Sequence, residues 1–192
     1  MKKTVLSLAL ALVFGATATA TEPIDGEKKE IKTEASTITW KAYKVGGGHE
    51  GTVDLKSGHL EFNGKKLTGG EFVVDMPTIV TTDVEGDMKG KLEGHLKSDD
   101  FFAVENNKTS TLKITSVKPF NDQSYTVTGD LTIKGITKPI TFVISLFESK
   151  ATATLKVDRA KYDIKYKSGS FFENLGDKII YDEFDLVVDL AY

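Results

Sequence analysis

Between Tyr125 and Leu146 the chain reads YTVTGDLTIKGITKPITFVISL, and in each half apolar residues recur with a period of two. Tyr125, Val127, Leu131 and Ile133 hold the odd positions of the first half, with threonines, Asp130 and Lys134 between them. Ile140, Phe142, Ile144 and Leu146 hold the even positions of the second half. Such a period fits a half-buried strand and not a helix. The pattern predicts an antiparallel hairpin turning over Gly135 to Pro139, with Ile133 facing Ile140 and Leu131 facing Phe142. Gly135 suits the turn because it accepts positive φ, and Pro139 suits a strand start because it lacks a donor.

The same alternation recurs along the chain. Ile38, Trp40 and Ala42 share one phase, as do Val53 and Leu55, Leu60 and Phe62, and Phe72, Val74 and Met76. Later come Leu112 and Ile114, the stretch from Ala151 to Val157, and a final strand placing Ile180, Phe184, Leu186, Val188 and Leu190 on one face. Gly46-Gly47-Gly48, Ser57-Gly58, Asn63-Gly64 and Gly69-Gly70 read as the turns of a meander. Only GDMKGKLEGHLKSDDFF, from Gly86, places apolar residues at helical spacing, through Met88, Leu92 and Leu96. Eight or so strands with one covering helix predict a sandwich or a closed antiparallel barrel, and closure would remove unpaired edges.

The first twenty residues, MKKTVLSLALALVFGATATA, combine a basic start, an apolar run and small residues at Ala16, Ala18 and Ala20. They read as a secretory signal peptide cleaved before Thr19 or Thr21, which sends the product to the periplasm or out of the cell. Residues 21–35 are charged and read as a flexible lead-in, with one domain over 36–192. The chain has no cysteine, which excludes disulfides, thiolate metal sites, a cysteine nucleophile and a lipid-bearing cysteine. A net charge of -3, with both signs mixed along the chain, provides no basic stripe for nucleic acid.

HLKSDDFF (His95 to Phe102), GDLTIKGITKPITF (Gly129 to Phe142), VDRAKYDI (Val157 to Ile164) and HEGTV (His49 to Val53) together resemble the YceI-like family of secreted polyisoprenoid-binding proteins. The closing SGSFFENLGDKIIYDEFDL is similar to the ending of one branch of that family. The resemblance implies an all-β fold, an elongated eight-stranded antiparallel lipocalin-like β-barrel with one short covering α-helix. It also implies an apolar lumen for an isoprenoid lipid, often a quinone, with no cofactor beyond that ligand. Two departures stand out: Glu105 to Lys108 where the family commonly has a proline, and Asp163 where it often has a glycine.

The candidate wall of that lumen is Trp40, Phe62, Phe72, Leu131, Ile133, Phe142, Ile144, Leu155, Phe184 and Val188, each on the apolar phase of its strand. Alternation reports burial without saying against what, so ordinary core packing competes with the lumen at every one of them. A strand of eight to ten residues spans roughly 26 to 34 Å. At about 0.8 kcal/mol per buried CH₂, each five-carbon unit would contribute roughly 3 to 4 kcal/mol. A few units would exceed the roughly 8 kcal/mol of micromolar affinity even after ordering costs.

His49, His59 and His95 are too scattered for a metal site, and His59 reads as a turn residue beside Gly58. His95 is expected to seat the helix. Arg159, the only arginine of the chain, is expected to anchor a buried carboxylate or carbonyl, with Asp158 and Asp163 as local partners, or else to meet a ligand head group. Asp99 and Asp100 share no helix face and read as the end of the helix, not as an acid/base pair. Tyr162, Tyr166, Phe171 and Phe172 around Ser168-Gly169 read either as a barrel rim that admits ligand or as surface plugging. The sequence therefore favours a non-enzymatic carrier that sequesters an isoprenoid. Two alternatives stand beside it: an interaction protein docking an envelope membrane protein, and a hydrolase or isomerase using His95 and Asp99. Whether the chain forms a homodimer is left open.

Overall fold

The structure, a computed structural model, describes residues 26–192. The signal-peptide reading lies outside the described residues. Among the described residues nine strands and one α-helix follow in the order β1 (Glu27–Glu30), β2 (Thr37–Lys44), β3 (Gly47–Asn63), β4 (Lys66–Thr81), α1 (Gly86–Lys97), β5 (Thr109–Pro119), β6 (Ser124–Ile133), β7 (Ile136–Phe147), β8 (Lys150–Asp158) and β9 (Ile180–Ala191). Every pairing is antiparallel. Strands β2 to β9 form a closed eight-stranded barrel, because β3 pairs with β2 on one side and β4 on the other. At about 3.3 Å per residue the 17 residues of β3 extend roughly 55 Å, so the barrel is long for its girth.

β1 extends the barrel along β3 beyond the end of β2, through pairs from Glu27↔Phe62 to Glu30↔His59. The stretch anticipated as a flexible lead-in is therefore partly strand. Ile31 is buried in the core, and the Lys32 N–H donates to Ala191 O at 2.8 Å. The charged sequence of this outer strand, Glu27-Lys28-Lys29-Glu30, is compatible with pairing, since the ladder uses only backbone groups and charged side chains discourage a further strand at its free edge.

The central hairpin keeps its expected faces but not its expected register. β6 and β7 are joined by a two-residue turn, Lys134-Gly135, with both φ values positive at 52° and 72°. Ile133 accordingly pairs with Ile136 and Val127 with Phe142. This is the primed turn whose twist matches that of the strands. Pro139 lies inside β7, not at its start. β8 pairs with β7 only from Val143 onward, so the proline faces a side with no ladder to disrupt.

Ser57-Gly58 and Gly69-Gly70 are not turns either, since they fall within β3 and β4. Both mark places where two backbones or a ring come close. A Cβ at Gly58 would stand 2.8 Å from the Phe72 ring, and one at Gly70 would stand 2.7 Å from His59 O. His59 thus sits mid-strand, its ring 3.2 Å from Glu61. Asp163, in the position where the resembling family often has glycine, adopts φ 58° and ψ 32°, a conformation aspartate tolerates better than most residues.

α1 lies against the end of β4, where the Glu93 carboxylate accepts the Thr81 N–H at 2.9 Å. After Lys97 the chain folds back under the helix. Phe102 N–H donates to Leu96 O and Val104 N–H to Lys97 O, which satisfies carbonyls that a helix end otherwise leaves open. This reversal turns Phe101 and Phe102 inward, and both are buried.

Candidate functional site

The inward side chains divide the barrel interior into two parts. Toward the end carrying the β3–β4 turn, Leu60, Phe62, Leu67 and Val127 are buried together, and Tyr192 closes over Phe62 at 5.7 Å between rings. Toward the end carrying α1 the barrel is hollow. A void of about 150 Å³ lies within a larger apolar channel walled by β2 to β9. An engineered cavity of about that size accepts benzene, so the void as it stands fits one compact apolar group.

Nine of the ten wall residues read from the sequence line this channel: Trp40, Phe72, Leu131, Ile133, Phe142, Ile144, Leu155, Phe184 and Val188. Phe62 does not, because it belongs to the packed end. Leu96, Phe101 and Phe102 line it from above, and sequence reasoning missed them by treating DFF as a helix terminator. Ala153 on β8, too small to register as a wall residue, also lines it. Of the lining residues Tyr181 is the most exposed, at 51%, which locates the mouth at the start of β9.

Polar groups reach the channel but are committed to its wall. Trp40 Nε1–H donates to Val80 O at 3.2 Å, and the Ser110 hydroxyl donates to Thr132 O at 2.7 Å. Arg159, 2% exposed, donates from Nε to Tyr181 O at 3.1 Å, from one terminal nitrogen to Ile164 O at 2.9 Å, and from the other to Ile180 O at 2.9 Å. Its carboxylate partner is Asp182 at 3.4 Å, not the neighbouring Asp158 or Asp163 named as local candidates. Asp158 instead caps the 3-10 turn Arg159–Tyr162 by accepting the Ala160 N–H, and Asp163 pairs with Lys165. Burial draws the Arg159 guanidinium below its ordinary pKa, and Asp182 then Asp158 oppose the shift. Tyr162, buried beside it, has its phenol pushed up to about 12 by burial and then by Asp158.

The histidines stay apart. His49 Nδ1 meets Asp83 at 2.9 Å, while His59 meets Glu61. His95 stands edge-on to Tyr166, with ring centroids 4.2 Å apart, and packs on Phe101 at 5.5 Å. Its buried Nε2 has no hydrogen-bond partner, and Asp99 lies exposed in the turn beyond the helix. No hydrogen bond joins His95 to Asp99, so this geometry does not assemble the acid/base pair of the hydrolase reading. His95 contacts through its ring faces and edges, as a residue seating α1 on the barrel would. Among the described residues no group of three His, Asp or Glu side chains is placed to hold a metal.

Residues 29–192 match the family model of the YceI-like domain. A UPF0312 protein of Pseudomonas putida strain F1 is 32% identical over 147 residues, 74% of this chain and 71% of its own. Among solved structures, BcnA of Burkholderia cenocepacia superposes with a TM-score of 0.67 at 18% identity, covering 84% of this chain and 99% of its own. A polyisoprenoid-binding domain from Saccharophagus degradans gives 0.59 at 15% identity over 84% of this chain and 97% of its own. These structural likenesses are to the fold.

Proposed function

The chain belongs to the YceI-like domain family, and on that premise we propose that it is a non-catalytic carrier that sequesters an isoprenoid lipid, a polyisoprenoid or an isoprenoid quinone, in the channel of its barrel. One observation carries the reading: a channel walled by aliphatic and aromatic side chains in which Trp40, Ser110 and each guanidinium nitrogen of Arg159 donate to backbone carbonyls. Such a wall offers a ligand burial and little hydrogen bonding, which suits a hydrocarbon tail and disfavours a sugar, peptide or nucleotide. The similarity to a polyisoprenoid-binding domain supports the choice of tail.

In this reading the nine lumen residues hold the tail, and the head group stays near Tyr181. Phe62 supports the packed end, while Arg159 fixes the mouth by tying Ile180 and Tyr181 to the turn after β8. A long tail exceeds the 150 Å³ void, so in this reading the side chains of the channel wall repack around it. The apolar leader before residue 21 supports a periplasmic or secreted location. Native mass spectrometry of protein purified without detergent, followed by organic extraction, tests the assignment. A co-purifying isoprenoid supports it, and failure to take up polyisoprenol or quinone after delipidation overturns it.

A further inference from the structure

The channel mouth is surrounded by apolar side chains that the carrier reading leaves unused. Phe171 is 43% exposed, Phe172 49% and Tyr181 51%, and Val45 on the β2–β3 turn is exposed beside them. The backbone holds this rim in place. Ser168 is fully buried, and its carbonyl accepts the N–H groups of both Phe171 and Phe172, at 3.2 and 3.0 Å. Val45 N–H donates to Ile179 O at 3.2 Å, which joins the β2–β3 turn to the segment before β9. Two adjacent phenylalanines are thus presented to water by a fixed loop and are not folded back onto the barrel.

We propose that this rim docks on the surface of a lipid bilayer, with Phe171, Phe172 and Tyr181 entering the head-group region. The proposal rests on the carrier reading for its purpose, since the cargo of such a channel resides in a membrane. Two observations single out a bilayer. Tyr181 belongs to both the rim and the channel wall, so an apolar path runs from the docking face into the lumen. Lysines stand among the aromatics: the Lys165 ammonium, paired with Asp163 at 2.7 Å, lies 5.4 Å from the Phe171 ring centroid, and Lys167 lies 5.1 Å from that of Tyr166, with Lys178 on the same segment. Aromatic rings with lysines whose stems are apolar and whose ammonium groups reach phosphates are the composition of an interfacial belt. Asp99, Asp100 and Asp163 beside Phe172, with Glu173 and Asp177 in the same loop, offset the lysines, so the aromatics and not the lysines carry the docking.

Phe120 and Phe147, exposed at the opposite end of the barrel beside the packed core, supply an internal control. The test is co-sedimentation of the mature, cargo-free protein with phosphatidylethanolamine/phosphatidylglycerol vesicles. Phe171→Ser with Phe172→Ser should lower vesicle partitioning on the order of tenfold or more, whereas Phe120→Ser with Phe147→Ser should leave it unchanged. Absence of wild-type binding overturns the proposal, as does an equal loss in both double variants. So does a vesicle-independent dimer, seen by sedimentation velocity, that the rim variant abolishes. Cargo uptake is read separately from a detergent-dispersed quinone. Its failure with vesicle docking intact overturns the carrier reading alone, and its success without docking overturns the docking alone.

Discussion

Ala153→Phe separates a ligand channel from ordinary core. Ala153 lies on β8, paired with Ile144 and Val188, and its methyl lines the channel. The added ring is in effect a benzene, and the void it enters is about 150 Å³, the size that accepts benzene in an engineered cavity. Burial of the ring contributes roughly 1.5 to 3 kcal/mol, which any overpacking of about 1 to 3 kcal/mol offsets. The variant should therefore melt within a few degrees of wild type. The ligand, in contrast, loses the space of about one isoprene unit, worth roughly 3 to 4 kcal/mol, so its dissociation constant should rise by about two to three powers of ten. Thermal unfolding by circular dichroism and a quinone titration provide the two readouts. A well-folded variant that binds quinone as tightly as wild type would refute the claim that this void is where the tail lies.

Replacing Leu131 or Phe142 by aspartate should abolish lipid binding, with circular dichroism separating that loss from unfolding. Arg159→Ala leaves the carbonyls of Ile164, Ile180 and Tyr181 without their donor, and should cost about 3 to 5 kcal/mol, seen as a drop of roughly 10 °C in Tm; Arg159→Lys should recover only part of it. Tyr162 is held neutral, with its pKa raised from about 10 in the unfolded chain to about 12 in the fold. Its contribution of about 2 to 3 kcal/mol is complete below pH 10 and is lost as pH climbs from about 10 through 12. Denaturant unfolding of Tyr162→Phe over that range should show a correspondingly shallower decline than wild type, and parallel declines would refute the assignment.

Much of the barrel was legible in the sequence because side-chain phase is a local property. The odd and even faces of Tyr125 to Leu146 survive although their register was misread by a turn, since Lys134 adopts positive φ without carrying the asparagine or aspartate that usually signals it. Glycines were ambiguous in the same way: Gly64 makes a turn, whereas Gly58 and Gly70 admit a close neighbour inside a strand. Phe62 shows the limit of phase as a site signal, since it faces inward like Phe72 and packs against Tyr192 instead of the channel. Arg159 finds its carboxylate in Asp182, beyond the loop that precedes β9, where no local spacing points. Phe101 and Phe102 belong to the channel because the chain reverses beneath α1, a tertiary event without periodicity.

Trp40 is the only tryptophan of the chain and lines the channel, so its emission reports on the lumen. Titration with an isoprenoid quinone shows whether the tail occupies this channel. Trp40 should be quenched saturably at one quinone per protein, with the midpoint moved to about a hundredfold or more higher quinone in Ala153→Phe. Emission that does not respond to quinone, or that declines without saturation and equally in the variant, would contradict that occupancy.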